Sequence, residues 1–280
     1  GVQMLGKLLK YEMKASARTL LPLYLGTLIV AVICAIQAAM MVGTGNVNGG
    51  WWIEGPLDSG VITGFIFLLF FALCVAIMVL TAMIVIQRFN KSLIGDEGYL
   101  MFTLPVTHAQ LLNSKLIAGL LWVVVGTIVM GLASLIIFMP VFLAVPDMDW
   151  AYFWSEVQYM LSQYNPFSQI ALSVVAGLLT IVATILTVYL SIMIGQMEQC
   201  SKYRVAVSVV MFFVINWLFS LIGTSVLNVL SLDWNNYVVS AAEFGALYNE
   251  MMAVGIAGAL IQCAICFAAV VWMMKKKLNL

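Results

Sequence analysis

Six long runs of uncharged, mostly apolar residues constrain the fold of this chain more than any other feature. None of the runs contains Asp, Glu, Lys, Arg or His, and each exceeds the roughly 20 helical residues needed to cross a bilayer. They lie at Leu20–Val42, Val61–Ile86, Leu116–Val145, Ile170–Gly195, Val205–Leu232 and Met251–Met274. Because the runs are apolar on every side, unlike alternating barrel strands, we predict helices. The expected fold class is an all-α integral membrane protein, with six transmembrane helices in a single domain over residues 1–280.

The distribution of charge predicts the orientation of these spans. When the chain is threaded through six spans, all basic residues fall on one side: Lys7, Lys10, Lys14, Arg18, Arg88, Lys91, Lys115, Lys202, Arg204, Lys275, Lys276 and Lys277. The other side has only acidic charges: Glu54, Asp58, Asp147, Asp149, Glu156, Asp233, Glu243 and Glu250. Basic connections stay in the cytoplasm. We therefore predict a multi-pass protein of the cell membrane with both termini cytoplasmic, and no nucleic-acid partner.

Residues 4–18, before the first span, have the pattern of an amphipathic helix. Leu5, Leu8, Leu9 and Met13 share one helical face. The opposite face is basic, with Lys7, Lys10, Lys14 and Arg18. We predict a helix that lies in the cytoplasmic headgroup plane. Glu12 falls toward the apolar side. Either a shallow helix or a contact with a protein partner explains this position.

Two outer connections also have helical patterns. Asp149 is placed to cap a helix that is rich in aromatic residues and ends at Asn165-Pro166, as expected for an element at the membrane interface. Between the last two spans, apolar residues recur at helical spacing over Tyr237–Met251. That segment is expected either to lie on the outer surface or to dip into the membrane and return.

The sequence contains few groups for catalysis or for ion coupling. The near match to a phosphate-binding loop at GVQMLGKL has Leu8 where a hydroxyl must hold magnesium, so we predict no catalytic residue and no bound cofactor. No span contains a carboxylate of the kind that marks ion paths. Cys263 and Cys266 form C-x-x-C inside an apolar helix, where ordinary packing explains them better than metal or redox chemistry. Gln37 and Gln262 are expected to form interhelical hydrogen bonds or to line a substrate path.

The least generic segment is Gly95–Val106, GDEGYLMFTLPV, in the connection between the second and third spans. Asp96 and Glu97 are acids on an otherwise basic face, and a compact apolar run follows them. A short helix of this composition suits either a groove on another protein or the membrane surface.

The chain resembles the permease subunits of ABC type-2 exporters, and more narrowly permeases of Gram-positive gut bacteria. The matching stretches are LLKYEMKASARTLLPLY at Leu8–Tyr24, RFNKSLIGDEGYLMFTLPVTHAQLLNSK at Arg88–Lys115 and, more weakly, IGQMEQCSKYRVAV at Ile194–Val207. The resemblance implies that the amphipathic segment is an interface helix and that Tyr237–Met251 contains re-entrant helices. It also implies that Gly95–Val106 is a coupling helix that docks on an ATPase subunit. The implied ATPase contacts are Asp96, Glu97, Tyr99, Phe102 and Pro105, with further contacts around Glu198 to Arg204.

The same resemblance implies an exporter assembled from two permeases, identical or not, and two ATP-binding cassette ATPases. ATP and magnesium would bind to the ATPase partner, and the exported substrate would be a peptide, a drug or another amphiphile. Two further functions fit the same sequence. A self-contained channel or facilitator would move its substrate without ATP, and a membrane scaffold or sensor partner would move nothing.

Overall fold

The computed structural model describes residues 2–43, 57–90, 107–143, 149–163, 166–197, 203–230 and 241–277. This part of the chain consists of seven α-helices: α1 (Val2–Gly43), α2 (Leu57–Phe89), α3 (His108–Leu143), α4 (Trp150–Gln163), α5 (Pro166–Gly195), α6 (Arg204–Val229) and α7 (Ala241–Lys277). No strand occurs within those residues. The prediction of an all-α protein is confirmed for them.

Six of these helices are long and apolar enough to cross a membrane, and they coincide with the six predicted spans. The apolar stretches are Ser16–Gln37, Leu68–Phe89, Ala109–Pro140, Phe167–Gly195, Arg204–Val229 and Leu247–Lys275. The long third span is one helix that contains Pro140 near its end. The agreement has a simple cause: hydrocarbon offers no hydrogen-bond partners, so an apolar backbone segment must satisfy its own polar groups as a helix.

The amphipathic segment 4–18 is not a separate helix, contrary to the prediction. α1 runs without interruption from Val2 to Gly43 and contains Pro22 in its interior. Two residues of the segment, Met13 and Ala17, pack against the hydrophobic cluster of Leu20 and its neighbours, and Ser16 is 2% exposed. The end of the segment therefore belongs to the protein interior. Charge alone does not end a helix, and no breaker stands between Arg18 and Leu20.

The capped helix predicted after Asp149 is present as α4. Oδ1 of Asp149 accepts hydrogen bonds from the backbone N–H groups of Ala151 at 3.0 Å and Tyr152 at 3.2 Å. This cap satisfies donors that a helix start otherwise leaves unpaired. Trp154 and Tyr159 on the same helix are exposed. α4 is thus a capped helix with exposed aromatic side chains, and Pro166 provides the first residue of α5.

The segment predicted over Tyr237–Met251 has a different structure where it is described. Residues 241–251 are the first turns of α7, which continues without a break to Lys277. A re-entrant turn is therefore excluded for that stretch, while residues 237–240 fall outside the part that the structure describes. The hydroxyls of Tyr248 in α7 and Ser173 in α5 are 2.6 Å apart and share a hydrogen bond. This bond joins the N-terminal parts of α5 and α7.

The chain divides into two compact units. The first contains the described residues within Gly1–Gln87 and Ile117–Met148. Its core includes Leu20, Tyr24, Ile77 and Trp122, and the hydroxyl of Tyr24 donates a 3.2 Å hydrogen bond to the carbonyl of Trp122. The second unit contains those within Arg88–Leu116 and Asp149–Leu280, where α5 packs on both α6 and α7.

Candidate functional site at the connection between the second and third helices

The connection between α2 and α3 contains the segment that the sequence singles out. α2 ends at Phe89 and α3 begins at His108. The five proposed ATPase contacts fall in residues 91–106, outside the part of the chain that the structure describes: Asp96, Glu97, Tyr99, Phe102 and Pro105. Their role stays a prediction. The two helix ends that hold the connection are described, and both belong to the second unit.

One side chain of α5, Tyr189, contacts both of these helix ends. Its ring stacks on the ring of Phe89, with 4.0 Å between the centroids and 9° between the planes. Its hydroxyl donates a long hydrogen bond, 3.5 Å, to the carbonyl oxygen of Lys115 in α3. Phe89 and Tyr189 are 0% and 1% exposed. Such an aromatic pair contributes about 0.5–1.5 kcal/mol beyond its burial, so α5 is firmly joined to the base of the connection.

The first turns of α3 are packed rather than solvated. Leu111, Leu112, Ser114 and Lys115 are all buried, and the hydroxyl of Ser114 donates to the carbonyl of Leu111 at 2.8 Å. Lys115 belongs to the basic face that predicts topology, yet it is only 5% exposed. Long basic side chains bury their apolar stems readily. The end of α3 that follows the connection is therefore a fixed element of the second unit.

A capping box starts α3. The hydroxyl of Thr107 accepts from the N–H of Gln110 at 3.3 Å, and Oε1 of Gln110 accepts from the N–H of Thr107 at 3.2 Å. This reciprocal pair satisfies two of the donors at the helix start. The motif is readable as T-x-x-Q before an apolar run, but the sequence analysis did not use it. It places an ordered helix start directly after the proposed coupling segment.

The second connection on the predicted cytoplasmic side has a close backbone approach at its base. A methyl group at Gly195, the last residue of α5, would overlap Oγ of Ser208 and lie 2.6 Å from the carbonyl oxygen of Arg204. Only glycine lets the end of α5 lie this close to the start of α6. The proposed further contacts around Glu198 to Arg204 lie mostly at residues 198–202, outside the described residues.

Of the two candidate substrate-path residues, Gln262 has an interhelical partner. Its Nε2 donates to the hydroxyl of Thr187 at 3.0 Å, joining α7 to α5. Thr187 is 0% exposed and also lies 3.8 Å from the sulfur of Cys266. The two cysteines of the C-x-x-C motif are free thiols. Gln37 is half-buried near the end of α1.

The basic residues of the amphipathic segment are exposed where they are described. Lys10, Lys14 and Arg18 are exposed on α1, together with Tyr11 at 74%. The side chains of Lys7 and Glu12 lie outside the description. The structure therefore retains a basic, exposed face on this helix, next to the packed face of Met13.

Sequence reasoning did not identify the residues that join the ends of α2 and α3 to α5. Nothing in the sequence marks Phe89 and Tyr189 as a pair, because they lie on helices far apart in the chain. Gly195 is one of many glycines near span ends, and only the structure distinguishes it. Within the described residues, the site and the fold define a class: a helical protein with six helices long and apolar enough to cross a membrane, and with packed helix ends on both sides of the connection between α2 and α3.

Comparison with known protein families, curated proteins and solved structures finds no match to this chain.

Proposed function

We propose that this chain is the permease subunit of an ATP-binding cassette exporter, driven by ATP that a separate ATPase subunit hydrolyses. The proposal rests on the resemblance of its motifs and on the composition of Gly95–Val106. The structural observation that supports it best is the contact of Tyr189 with both Phe89 and Lys115. A connection attached in this way can transmit a push, because neither of its ends moves independently of α5.

The proposed mechanism follows from that attachment. ATP-driven closure of two ATPase subunits presses on the Gly95–Val106 segments of two permeases. Each segment displaces the ends of α2 and α3, and the stack of Phe89 on Tyr189 carries the displacement into α5. Since α5 packs on α6 and α7, the second unit moves with it. ATP and magnesium bind to the ATPase partner, and this chain contributes no catalytic residue.

The proposed substrate is a peptide or another amphiphile. The six uncharged runs contain no Asp, Glu, Lys, Arg or His that would couple transport to an ion gradient. The aromatic side chains of the outer side are exposed on α4, including Trp154 and Tyr159. Tryptophan and tyrosine rings typically anchor a helix at the membrane interface, which is where an amphiphile would leave the membrane.

Co-purification tests the proposal. The chain is co-expressed with a candidate cassette ATPase subunit, purified through a tag on the permease, and assayed for ATP hydrolysis in lipid nanodiscs. One variant combines Glu97→Arg with Phe102→Ala. Its matched control combines Glu156→Arg with Tyr159→Ala on the exposed surface of α4, so that charge reversal and ring removal are the same.

The expected result is an active complex that the first variant loses and the control retains. Loss of hydrolysis with retained binding would assign the two residues to coupling rather than to docking. A chain that purifies alone, stable and indifferent to the ATPase, would overturn the proposal and favour a self-contained channel.

A further inference from the structure

Two buried polar atoms of the first unit have no hydrogen-bond partner among the described residues. They are Oγ1 of Thr81 in α2 and Nε1 of Trp122 in α3. Each of these side chains is only 6% exposed. A buried polar atom without a partner costs free energy, and inside a membrane no solvent replaces the partner. The two atoms therefore point to a ligand that can pair with both.

The hydroxyl of Thr81 is oriented differently from those of other threonines in the spans. A threonine in a helix commonly donates to a backbone carbonyl one turn earlier. Six described threonines do so at 2.8–2.9 Å: Thr27, Thr127, Thr180, Thr184, Thr187 and Thr224. Thr81 makes no such bond, although the carbonyl of Ile77 is available one turn earlier in α2. Its hydroxyl is thus free to serve another group.

Tyr24 of α1 brings a third polar group to the same part of the unit. Its ring lies 6.2 Å from the ring of Trp122, and its hydroxyl donates to the carbonyl of Trp122 at 3.2 Å. The Thr81 hydroxyl is close enough to the Tyr24 hydroxyl to interact with it, but the two do not have hydrogen-bond geometry. Two neighbouring hydroxyls arranged in this way can both contact one small ligand.

The register of α2 and α3 brings Thr81 and Trp122 to the same level. A Cβ atom at Gly126 of α3 would lie 3.7 Å from Cγ2 of Ile77 in α2 and 3.2 Å from the hydroxyl of Tyr24. Consecutive spans run in opposite directions. Thr81 lies one turn after Ile77, and Trp122 lies one turn before Gly126. Residues four apart share a helix face, so both side chains lie on the faces that meet.

We propose that Tyr24, Thr81 and Trp122 bind one water molecule inside the first unit. The indole N–H can only donate, so it donates to the water oxygen. The Tyr24 hydroxyl already donates to the carbonyl of Trp122, so its oxygen accepts from the water. The Thr81 hydroxyl, which can donate or accept, makes the third bond. Three hydrogen bonds are typical of a buried water.

Burial selects water over a larger ligand. The three side chains are at most 6% exposed, and Leu20 and Ile77 pack in the same cluster as Tyr24 and Trp122. The water joins α1, α2 and α3 by hydrogen bonds within an otherwise apolar cluster. Its presence is measured on the chain alone, without an ATPase or a substrate, so this proposal and the exporter function can each fail while the other holds.

The sign of a stability change tests the site. Thr81→Val keeps the shape of the side chain and removes the hydroxyl. With a water bound, this removes one of its partners, and the midpoint of thermal unfolding in detergent should fall by at least about 2 °C. Without a ligand, the substitution would delete an unpaired buried hydroxyl and raise the midpoint. A midpoint that rises or does not change would overturn the proposal.

Thr27→Val is the matched control. Thr27 is 0% exposed in the same unit, and its hydroxyl donates to the carbonyl of Leu23 in its own helix. Removal of this hydroxyl leaves the backbone hydrogen bonds of α1 in place. The midpoint should therefore change less in Thr27→Val than in Thr81→Val.

The indole N–H of Trp122 gives a direct readout of the water. The chain is labelled with ¹⁵N at its indole groups and studied by NMR in nanodiscs, where the Trp122 signal is the one missing from Trp122→Phe. This N–H should show magnetisation transfer from water. The transfer should fall severalfold in Thr81→Val and persist in Thr81→Ser and Thr27→Val.

An indole N–H of Trp122 that receives no transfer from water in the wild type would overturn the proposal, as would transfer unaffected by Thr81→Val. Transfer relayed by the Thr81 hydroxyl itself, without a bound water, would also disappear in Thr81→Val. In that case the substitution would raise the midpoint of unfolding, so the two measurements together distinguish a relay from a water.

Discussion

At the scale of single residues, Gly195 has the least space for a side chain among the glycines that the structure describes. A Cβ atom there would meet the backbone carbonyl of Arg204 at 2.6 Å, and backbone cannot rotate away as a side chain can. We expect Gly195→Ala to destabilise the protein by about 1–3 kcal/mol, as overpacking does. The measurement is the midpoint of thermal unfolding in detergent. Gly177→Ala is the control, because nothing lies within 4 Å of a Cβ at Gly177, and alanine there should be neutral or mildly stabilising.

Tyr152 on α4 interacts with Glu156 in a way that depends on pH. Its hydroxyl hydrogen bond to the carboxylate of Glu156, with the negative charge of that group, raises the pKa of Tyr152 above its ordinary value. The interaction therefore stabilises the folded state below the unfolded pKa, about 10, and is lost as pH rises through the folded pKa. The phenolate absorbance of Tyr152 is measured as the difference between a protein and the same protein with Tyr152→Phe. The midpoint of this titration should lie at lower pH in Glu156→Gln than in the wild type. An unchanged titration would contradict the assigned hydrogen bond.

At the scale of elements, the stack of Phe89 on Tyr189 joins α2 to α5. Truncation of either ring in a packed site is expected to cost about 3–5 kcal/mol. Tyr189→Phe keeps the stack and loses only the long bond to Lys115, so it should cost less than about 1.5 kcal/mol. A double-mutant cycle with Phe89→Leu and Tyr189→Leu should give a coupling free energy of about 0.5–1.5 kcal/mol. Additive changes in unfolding free energy would show that the rings do not interact.

The capping box defines where α3 begins, and the backbone N–H of Gln110 provides a test of it. Thr107→Ala removes the acceptor for the N–H of Gln110 and should cost about 1 kcal/mol of helix stability. Hydrogen exchange in nanodiscs should then accelerate in the first turn of α3 and remain unchanged at the start of α4, which Asp149 caps. Thr107→Ser keeps the hydroxyl and should exchange like the wild type.

The two caps also show which features of the elements are readable from sequence. The Asp149 cap was predicted because its signal is local: one acceptor before a helical pattern. The N-terminal starts of α1 and α7 were not predicted correctly, because a helix continues wherever packing against its neighbours supports it. Met13 is packed against a core cluster, and Tyr248 is bonded to Ser173. Both contacts extend a helix beyond the boundary that polarity suggests.

At the scale of the whole molecule, the six spans were predictable and their contacts were not. Span length and apolarity follow from the thickness and chemistry of the bilayer, so composition alone identifies the helices. The contacts between helices depend instead on the shape and chemistry of single side chains. Examples are the ring of Tyr189, the absence of a side chain at Gly195 and the hydroxyl of Thr187. The candidate coupling segment is identified by its composition, whereas the contacts of the flanking helix ends, at Phe89 and Lys115, with α5 required the structure.

Orientation in the membrane is also a property of the whole molecule. Its prediction rests on the distribution of basic residues, because all twelve fall on one predicted side and none on the other. Because positively charged connections remain cytoplasmic, α4 should face the outside and the start of α6 the cytoplasm. Ser155 and Tyr203 are exposed reporters for these two sides. In a background without native cysteines, a membrane-impermeant maleimide should label Ser155→Cys in intact cells, and Tyr203→Cys only after permeabilisation. The opposite labelling would invert the topology and would place Gly95–Val106 beyond the reach of any cytoplasmic ATPase.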